Sequence, residues 1–238
     1  MDGKEGDELN QLEIVAAKAH MRRGVYLQKV EQARQIIADG LVACSAPYVA
    51  MSFGKDSAAM LHLVQQVRPN VEARFIRWTE SQYLDDFDRV IAEWQQRGIN
   101  LQILDMHRDS IDERGGERWS KLQQMSPADG FFVGLRAQEN QKSRGMTLKV
   151  HGTVYKLASG LWRICPLAWW STDDVAAYTI QHDLPMLDAY KADGFEQRTS
   201  ARVPRATVRG EALHSLKVRD PLRFYALCRE YPEVTEWM

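Results

Sequence analysis

Short apolar runs alternate with helical patterns across residues 47–104, and this alternation constrains the fold more than any other feature of the chain. In chain order, the predicted elements are strand Pro47–Met51, helix Ser57–Val67, strand Ala73–Trp78, helix Phe87–Trp94 and strand Leu101–Leu104. Strands joined by helices of this length predict an α/β fold with a mostly parallel, twisted sheet and helices on both faces. Such sheets bind ligands beyond the carboxyl ends of their strands, where residues 52–57 and 79–83 fall.

The rest of the chain is arranged around this unit. A helical pattern from Asn10 to Gly40, divided at Gly24, predicts N-terminal helices. The polar stretch from Arg108 to Asp129 is expected to be a mobile segment over the ligand site and not part of the core. Further along, we predict a strand at Gly130–Arg136 and a β-hairpin formed by Val150–Leu157 and Leu161–Ile164. A helix is predicted from the Ser171 cap through Ile180. After it we expect an irregular region from about Ala189 and a final helix near Leu222–Glu230. The predicted organisation is an N-terminal helical segment (1–40), an α/β domain (41–190) and a small C-terminal extension packed on the same domain (191–238).

Composition excludes several classes of protein. Hydrophobic residues make up 45% of the 238 residues and charged residues 26%, as in ordinary globular chains, and the net charge of -1 argues against wholesale nucleic-acid binding through a basic surface. Residues 1–10 hold no apolar signal core, and no run approaches the ~20 apolar residues of a membrane span. The cysteines, Cys44, Cys165 and Cys228, are too widely separated for a Cys-x-x-Cys metal site. We expect a cytoplasmic protein with reduced thiols and no membrane contact.

The turn after the first predicted strand has the composition of a phosphate site. It reads Ser52-Phe53-Gly54-Lys55-Asp56-Ser57. The glycine is expected to permit the backbone turn, the lysine offers a positive charge, and the serines place hydroxyls beside the free N–H groups of a new helix. The Walker A loop is excluded, because Val49 takes the place of its first glycine and Asp56 that of its hydroxyl residue. The alternative is an ordinary turn between a strand and a helix.

This hexapeptide resembles the PP-loop signature, Ser-Gly-Gly-Lys-Asp-Ser, of the ATP pyrophosphatase superfamily, with Phe53 in place of the first glycine. Later segments are similar, in the same order, to one branch of that superfamily, the phosphoadenosine-phosphosulfate (PAPS) reductase family. These segments are Gly134-Leu135-Arg136-Ala137-Gln138-Glu139 with Arg144, Cys165-Pro166-Leu167-Ala168-Trp169-Trp170 with Asp174-Val175-Ala176-Ala177-Tyr178, and His182-Asp183-Leu184-Pro185 with Tyr190. The resemblance implies the α/β fold of the PP-loop enzymes, also called adenine nucleotide alpha hydrolase-like.

The resemblance also implies an adenine-nucleotide site. Adenine would lie at the edge of the sheet near residues 76–79, although Trp78 fits a core position equally well. The residues expected to act in catalysis are Lys55, Arg136 and Arg144. The residues expected to bind the nucleotide are Ser52, Phe53, Gly54, Lys55, Asp56, Ser57, Trp78, Thr79, Gly134 and Glu139. No residue is assigned as a protein ligand of a metal ion. For Arg136, Glu139 and Arg144, scattered charges on an exposed helix face are the alternative.

Three functions remain open. In the preferred one, ATP with Mg²⁺ is cleaved at its α-phosphate and AMP is transferred to an acceptor, as in the FAD synthetases that resemble this family. The second is sulfonucleotide reduction, for which the family carries a nucleophilic cysteine near its C-terminus in a Glu-Cys-Gly-x-His setting; this sequence has no such segment. The third is a regulatory module that binds a nucleotide without turnover.

The acceptor is left unidentified by the sequence. Residues 198–209 carry four arginines and no acid, which predicts a clamp for a phosphate or a nucleic-acid backbone at the mouth of the site. Arg202 and Arg205 are the residues expected to bind the substrate there, and a solvated basic loop is the alternative. Members of the resembled family are often dimers, so a homodimer stays open as well.

Overall fold

A computed structural model describes residues 11–110, 117–204 and 206–237. The strands are β1 (Pro47–Met51), β2 (Glu72–Trp78), β3 (Asn100–Met106), β4 (Gly130–Phe132), β5 (Val154–Lys156) and β6 (Trp162–Ile164). Within the described ranges they form one six-stranded sheet in the order β3-β2-β1-β4-β6-β5. The α-helices are α1 (Gln11–His20), α2 (Gly24–Ala43), α3 (Lys55–Val67), α4 (Ser81–Leu84), α5 (Phe87–Gln96), α6 (Arg118–Gln124), α7 (Met146–His151), α8 (Thr172–Gln181), α9 (Asp188–Asp193), α10 (Ala206–Arg219) and α11 (Pro221–Glu230).

The direction in which the chain crosses the sheet reverses beside β1. This strand pairs in parallel with β2 on one side and with β4 on the other, so that Val49 lies opposite Ala73 and Phe132. Only β5 runs against its neighbour β6 among the strands of the described sheet. In a doubly wound sheet, such a reversal opens a crevice at the carboxyl ends of the two diverging strands. The residues that follow β1 and β4 therefore border the natural ligand position of this fold.

Helices cover both faces of the sheet, which confirms the predicted fold class. Alternate residues of β1 point to opposite faces, because side chains in a strand have a period of two. On one face, Val49 and Met51 join the main core with residues of α2, α3 and α8. On the other face, Tyr48 packs with Phe131 and with Leu122 of α6.

The expectation that residues 108–129 stay outside the core is wrong for the part that the structure describes. Leu122 is 2% exposed, and its helix, α6, packs on the sheet. The buried Arg74 donates from Nη1 to the carbonyl of Leu122 at 2.8 Å and from Nη2 to the carbonyl of Ser126 at 3.1 Å. Helix α6 could not be predicted from its polar sequence, because a single large buried apolar side chain gives no periodic signal.

Other element boundaries also differ from the predictions. Strand β4 ends at Phe132, four residues before Arg136, because the chain then turns toward α3. Val150 belongs to α7, whose buried Leu148 faces inward, and Gly152 ends that helix with a φ of 80°. The predicted hairpin is therefore shorter and begins only at Val154.

The region expected to be irregular after Ala189 contains two further helices, α9 and α10. In α10, Leu213 and Leu216 are buried against Phe224 and Leu227 of α11. The spacing of these leucines is helical, but the neighbouring run of arginines favoured a loop in the sequence. The C-terminal residues thus form a small helical cluster with its own apolar contacts.

Candidate functional site

The Ser52–Ser57 turn connects β1 to α3, as predicted, but the residue that makes the turn is not the expected one. Phe53 has a φ of 55°, whereas Gly54 has an ordinary φ of -70°. A bulky residue in the left-handed region costs about 1–2 kcal/mol. The Phe53 ring is fully buried and meets Phe75 edge to face at 4.8 Å between centroids, and this packing offsets the strain. Phe53 therefore acts as a core anchor for the turn, and its side chain is absent from the lining of the cleft described below.

Gly54 instead allows two side-chain hydroxyls to approach the turn closely. A Cβ at this position would lie 3.3 Å from the Tyr190 hydroxyl and 3.4 Å from the Thr199 hydroxyl. Hydrogen bonds of the two serines stabilise the turn. Ser57 donates from Oγ to the Gly54 carbonyl at 3.0 Å, and the Ser52 and Ser57 hydroxyls lie 3.0 Å apart. The turn is thus a compact cradle at the start of a helix, where backbone N–H groups and the helix dipole favour an anion.

Lys55 is buried in this cradle, with 6% exposure. Its Nζ donates to the carbonyl of Gln197 at 2.9 Å and lies 5.2 Å from the centre of the Tyr190 ring, while its backbone N–H donates to the Tyr190 hydroxyl at 3.2 Å. Burial is the main cause that lowers the pKa of Lys55 below its ordinary value. A buried ammonium in such surroundings gains most from an anion that enters the cleft.

Arg136 faces the first turn of α3 and does not line the cleft. Its Nε lies 2.8 Å from Oδ1 of Asp56, and its Nη1 donates to Oε1 of Gln138 at 3.0 Å. The side chain is 3% exposed. This ion pair fixes Asp56 at the wall of the cleft, so the position of Arg136 suits a positioning role and does not support the predicted direct contact with the reacting group.

Arg144 and Glu139 both line the cleft with the residues of the turn. The Arg144 guanidinium pairs with the Glu139 carboxylate, and Arg198 donates from Nη2 to the Glu139 carbonyl at 3.1 Å. Burial, followed by the charge of Arg198, lowers the pKa of Arg144 below its ordinary value. Cations thus crowd this end of the cleft, and an anionic ligand would relieve their mutual repulsion.

Gly134 brings the loop after β4 against the start of α3. A Cβ on this residue would lie 3.1 Å from the backbone nitrogen of Ser57. Gly134 was predicted to bind the nucleotide; in the structure its missing side chain lets the loop after β4 approach the first turn of α3.

These elements enclose a cleft of about 440 Å³, within the size range of small-molecule sites. Its polar end is lined by Ser52, Gly54, Lys55, Asp56, Ser57, Glu139, Arg144 and Arg198. Its apolar end is formed by Ala50, Ile76, Leu122 and Val133, which share one apolar cluster, and by Trp119, which packs on Phe131 of that cluster; Arg74 and Arg118 line the cleft as well. The lining is therefore part polar and part apolar, which suits a ligand with a charged group and a flat apolar group.

The remaining predicted residues are placed as follows. Trp78 is 4% exposed and packs in the main core, with its edge reaching the cleft. Thr79 lies in a neighbouring cleft of about 350 Å³, where its hydroxyl is 2.9 Å from Nδ1 of His107. Arg202 lines the main cleft, and Arg205 lies outside the described residues.

Several cleft residues were not assigned a role from the sequence. Tyr190, Thr199 and Gln197 contact the turn from more than a hundred residues away in sequence, and Trp119 is carried by the unpredicted helix α6. Arg198 belongs to the arginine run that the sequence singled out, so a signal for it existed. Thr199 lies in that run too, and Tyr190 belongs to a segment that resembles the family. For Gln197 and Trp119, contact across the fold is the only signal.

None of the three thiols, all within the described ranges, lines the cleft. Burial raises the pKa of Cys44 to about 11 and that of Cys165 to about 12, and it also raises the pKa of Cys228. Thiols of this kind are poor nucleophiles at neutral pH. Among the described residues there is no group of three or more His, Cys, Asp or Glu side chains that could hold a metal ion, and no helix of membrane-spanning length and apolarity.

The fold and this turn define a PP-loop α/β protein. The model of the phosphoadenosine phosphosulfate reductase domain matches residues 46–197, and the chain belongs to that family. The matched segment runs from the start of β1 to the carbonyl that receives Lys55, so it contains the cradle and most of the cleft.

Curated relatives share about a quarter of their residues with this chain. The phosphoadenosine 5'-phosphosulfate reductase of Alkalilimnicola ehrlichii is 26% identical over 160 residues, which cover 58% of this chain and 62% of the relative. The corresponding reductase of Shewanella oneidensis is 26% identical over 161 residues, with coverage of 58% and 62%. The adenosine 5'-phosphosulfate reductase of Bacillus thuringiensis is 24% identical over 155 residues, with coverage of 57% and 64%. The chain spans about three fifths of the length of these relatives.

Solved structures share the fold at low identity. The FMN adenylyltransferase of Candida glabrata, solved with FAD and inorganic pyrophosphate, has a TM-score of 0.52 at 15% identity and covers 76% of this chain and 67% of its own. The tRNA thiolase of Methanococcus maripaludis, which holds a [4Fe-4S] cluster, has a TM-score of 0.51 at 14% identity and covers 88% of this chain and 80% of its own. The relatives' names fit sulfonucleotide reduction better than the preferred prediction of AMP transfer.

Proposed function

We propose that the chain is an enzyme that binds an adenosine 5'-nucleotide in the cleft and acts on the group attached to its α-phosphate. The observation that carries this proposal is the position of Lys55: a buried ammonium at the N-terminus of α3, in a cleft that Arg144 and Arg198 also line. Backbone N–H groups, one lysine and two arginines form a set suited to spreading phosphate charge. The apolar end of the same cleft offers room for a base.

Sulfonucleotide reduction is the first candidate reaction, and the names of the curated relatives support it. In this reaction a thiolate attacks the sulfate sulfur, the bond from sulfur to the phosphate oxygen breaks, and the phosphate leaves with the electron pair. A second thiol then releases sulfite and leaves a disulfide. Since none of the three thiols in this sequence lines the cleft, both thiols of the reaction would come from a dithiol reductant of the thioredoxin class.

AMP transfer from ATP is the second candidate, and the position of the thiols favours it. Here an oxygen of the acceptor attacks the α-phosphorus, and the bond to the bridging oxygen breaks as pyrophosphate leaves. The two carboxylates at the cleft, Asp56 and Glu139, are each paired with an arginine, so they form no dedicated metal cage. Mg²⁺ would therefore enter with the nucleotide phosphates, where it neutralises charge on the leaving group. Arg202 at the rim would meet an anionic acceptor.

Replacing Lys55 with methionine tests the shared proposal. The change keeps the length of the side chain and removes a charge that burial disfavours, so we expect the free energy of unfolding to stay unchanged or to rise. Affinity for Mg-ATP, PAPS, or both should fall by roughly tenfold or more, since a charge-assisted contact to phosphate is lost. Calorimetric titration and urea unfolding measure the two quantities separately.

Lys149→Met is the matched control, because Lys149 is exposed on α7 and lies outside the cleft. It should bind both nucleotides like the parent chain. Wild-type affinity in Lys55→Met would overturn the proposed phosphate site. Sulfite release from PAPS with a dithiol reductant, or pyrophosphate release from ATP with a supplied acceptor, then separates the two candidate reactions.

A further inference from the structure

The apolar end of the cleft carries an aromatic side chain that the phosphate chemistry does not use. Trp119 lines this end and is 42% exposed, whereas Trp78, Trp94 and Trp170 are buried in the core. An indole exposed to this extent keeps apolar surface in contact with water, which is less favourable in free energy than burying that surface. A tryptophan held open at the wall of a cleft is suited to meeting a flat ligand.

The fold fixes Trp119 in this position through its helix, α6. Leu122, on the same helix, packs its side chain against Tyr48 and Phe131. Its carbonyl accepts the hydrogen bond from Arg74, which is 1% exposed and lies over the Tyr48 ring at 4.2 Å. Because both contacts are buried, α6 is joined firmly to the sheet.

The Trp119 ring itself rests on a buried neighbour. Its centroid lies 6.2 Å from that of Phe131, with an angle of 32° between the planes, which is an offset arrangement typical of aromatic pairs. The Arg118 guanidinium lies over the indole ring, 5.7 Å from its centroid, and Arg118 also lines the cleft. Both a guanidinium plane and an indole can stack on a nucleobase.

We propose that Trp119 stacks on the adenine base of the bound nucleotide and is a binding residue of this cleft. The inference rests on the proposed function, because it assumes that the phosphates occupy the Lys55 end. Trp119 and Lys55 line the same cleft, and a nucleotide with its phosphates on the α3 N-terminus would bring its base against the apolar part of the lining. Ala50, Ile76 and Val133 belong to the apolar cluster of Phe131 and offer further apolar surface for the base.

The test compares ligands with and without a base. Titrations of ATP and of inorganic tripolyphosphate, with PAPS in parallel, are made on the parent chain, Trp119→Ala and Trp119→Phe. We expect Trp119→Ala to lose roughly tenfold or more in affinity for ATP and PAPS, as stacking contacts do on truncation. Affinity for tripolyphosphate should not change, and Trp119→Phe should recover most of the nucleotide affinity.

Trp169→Ala is the matched control, because Trp169 is 38% exposed and lies outside the cleft. It should bind all three ligands like the parent chain. Nucleotides should also quench tryptophan fluorescence more strongly in the parent chain than in Trp119→Phe, where only Trp78 remains in the cleft lining. A purely structural role of Trp119 would leave the quenching the same in both.

The outcomes separate this inference from the proposed function. Equal loss of tripolyphosphate and ATP affinity in Trp119→Ala would assign the residue a structural role and overturn the stacking proposal. Unchanged ATP and PAPS affinity in that variant would overturn it too, while the phosphate site would stand if Lys55→Met still lost binding. A parent chain that binds neither nucleotides nor tripolyphosphate would overturn both.

Discussion

At the residue scale, Gly134 sets the distance between the loop after β4 and the phosphate-site turn. A Cβ added there would lie 3.1 Å from the backbone carbon of Asp56 and 3.1 Å from the backbone nitrogen of Ser57. Neither atom can yield without moving the first turn of α3, since both belong to the main chain. We expect Gly134→Ala to cost about 1–3 kcal/mol of stability, in the range of overpacked sites. Tripolyphosphate affinity should also fall by roughly tenfold, as measured by calorimetry.

Gly24→Ala provides the comparison for this substitution. No atom lies within 4 Å of a Cβ built on Gly24, which stands at the start of α2. The variant should be as stable as the parent chain or gain up to about 1 kcal/mol from helix propensity. If Gly134→Ala also binds tripolyphosphate like the parent chain, the close approach at Gly134 does not position the turn.

At the scale of elements, Asp174 joins α1 and α2 to α8. Its Oδ1 lies 2.8 Å from Nε2 of His20, and its Oδ2 accepts from Nζ of Lys29 at 2.5 Å and from the backbone N–H of Ser171 at 2.6 Å. Burial alone would raise the pKa of this carboxyl, but these hydrogen bonds hold it below its ordinary value. We expect Asp174→Ala to cost about 3–5 kcal/mol, as for other broken buried ion pairs. Urea unfolding measures this loss.

Asp173→Ala is the matched variant, because Asp173 lies in the same first turn of α8 but is exposed. Both changes remove one negative charge near the helix N-terminus, so their dipole effects are alike. Asp173→Ala should cost no more than about 1 kcal/mol. Equal losses in the two variants would contradict the assignment of Asp174 as the junction of these helices.

At the scale of the whole molecule, a pair of half-buried histidines makes stability depend on pH. Nδ1 of His62 on α3 lies 2.9 Å from the Tyr178 hydroxyl on α8, and the His62 and His182 rings are 4.7 Å apart. Burial, then His182 and Arg97, lower the pKa of His62 from 6.5 to about 4, and burial lowers the pKa of His182 as well. The unfolded chain therefore takes up protons at a higher pH than the folded chain does.

The sign of the effect follows from this difference. Above pH ~6.5 these histidines are neutral in both states, and stability falls as the pH drops from there toward ~4, by on the order of 3 kcal/mol for His62. His62→Gln should flatten the dependence of unfolding free energy on pH in this window. Replacement of the exposed His214 by Gln should leave the slope as it is in the parent chain. An unchanged slope in His62→Gln would refute the assignment.

The elements from β1 to β3 and the phosphate turn could be predicted from the sequence because they depend on local patterns. A period of two or of 3.6 residues reports which side of an element is buried, and the residues from Ser52 to Ser57 carry the chemistry of the turn within one short stretch. Helices α6 and α10 could not be predicted from sequence periodicity. Their buried positions are few and lie among charged residues, so the amphipathic signal is weak.

The tertiary structure alone decided how the site is completed. Tyr190 covers the turn from 135 residues away, Arg136 turns to Asp56 instead of the cleft, and Trp119 reaches the cleft on a helix fastened by Arg74. Such contacts depend on how distant segments pack, and no spacing along the chain encodes them. The sequence by itself therefore determined the sheet, the family and the phosphate turn, whereas packing determined which side chains surround the ligand position.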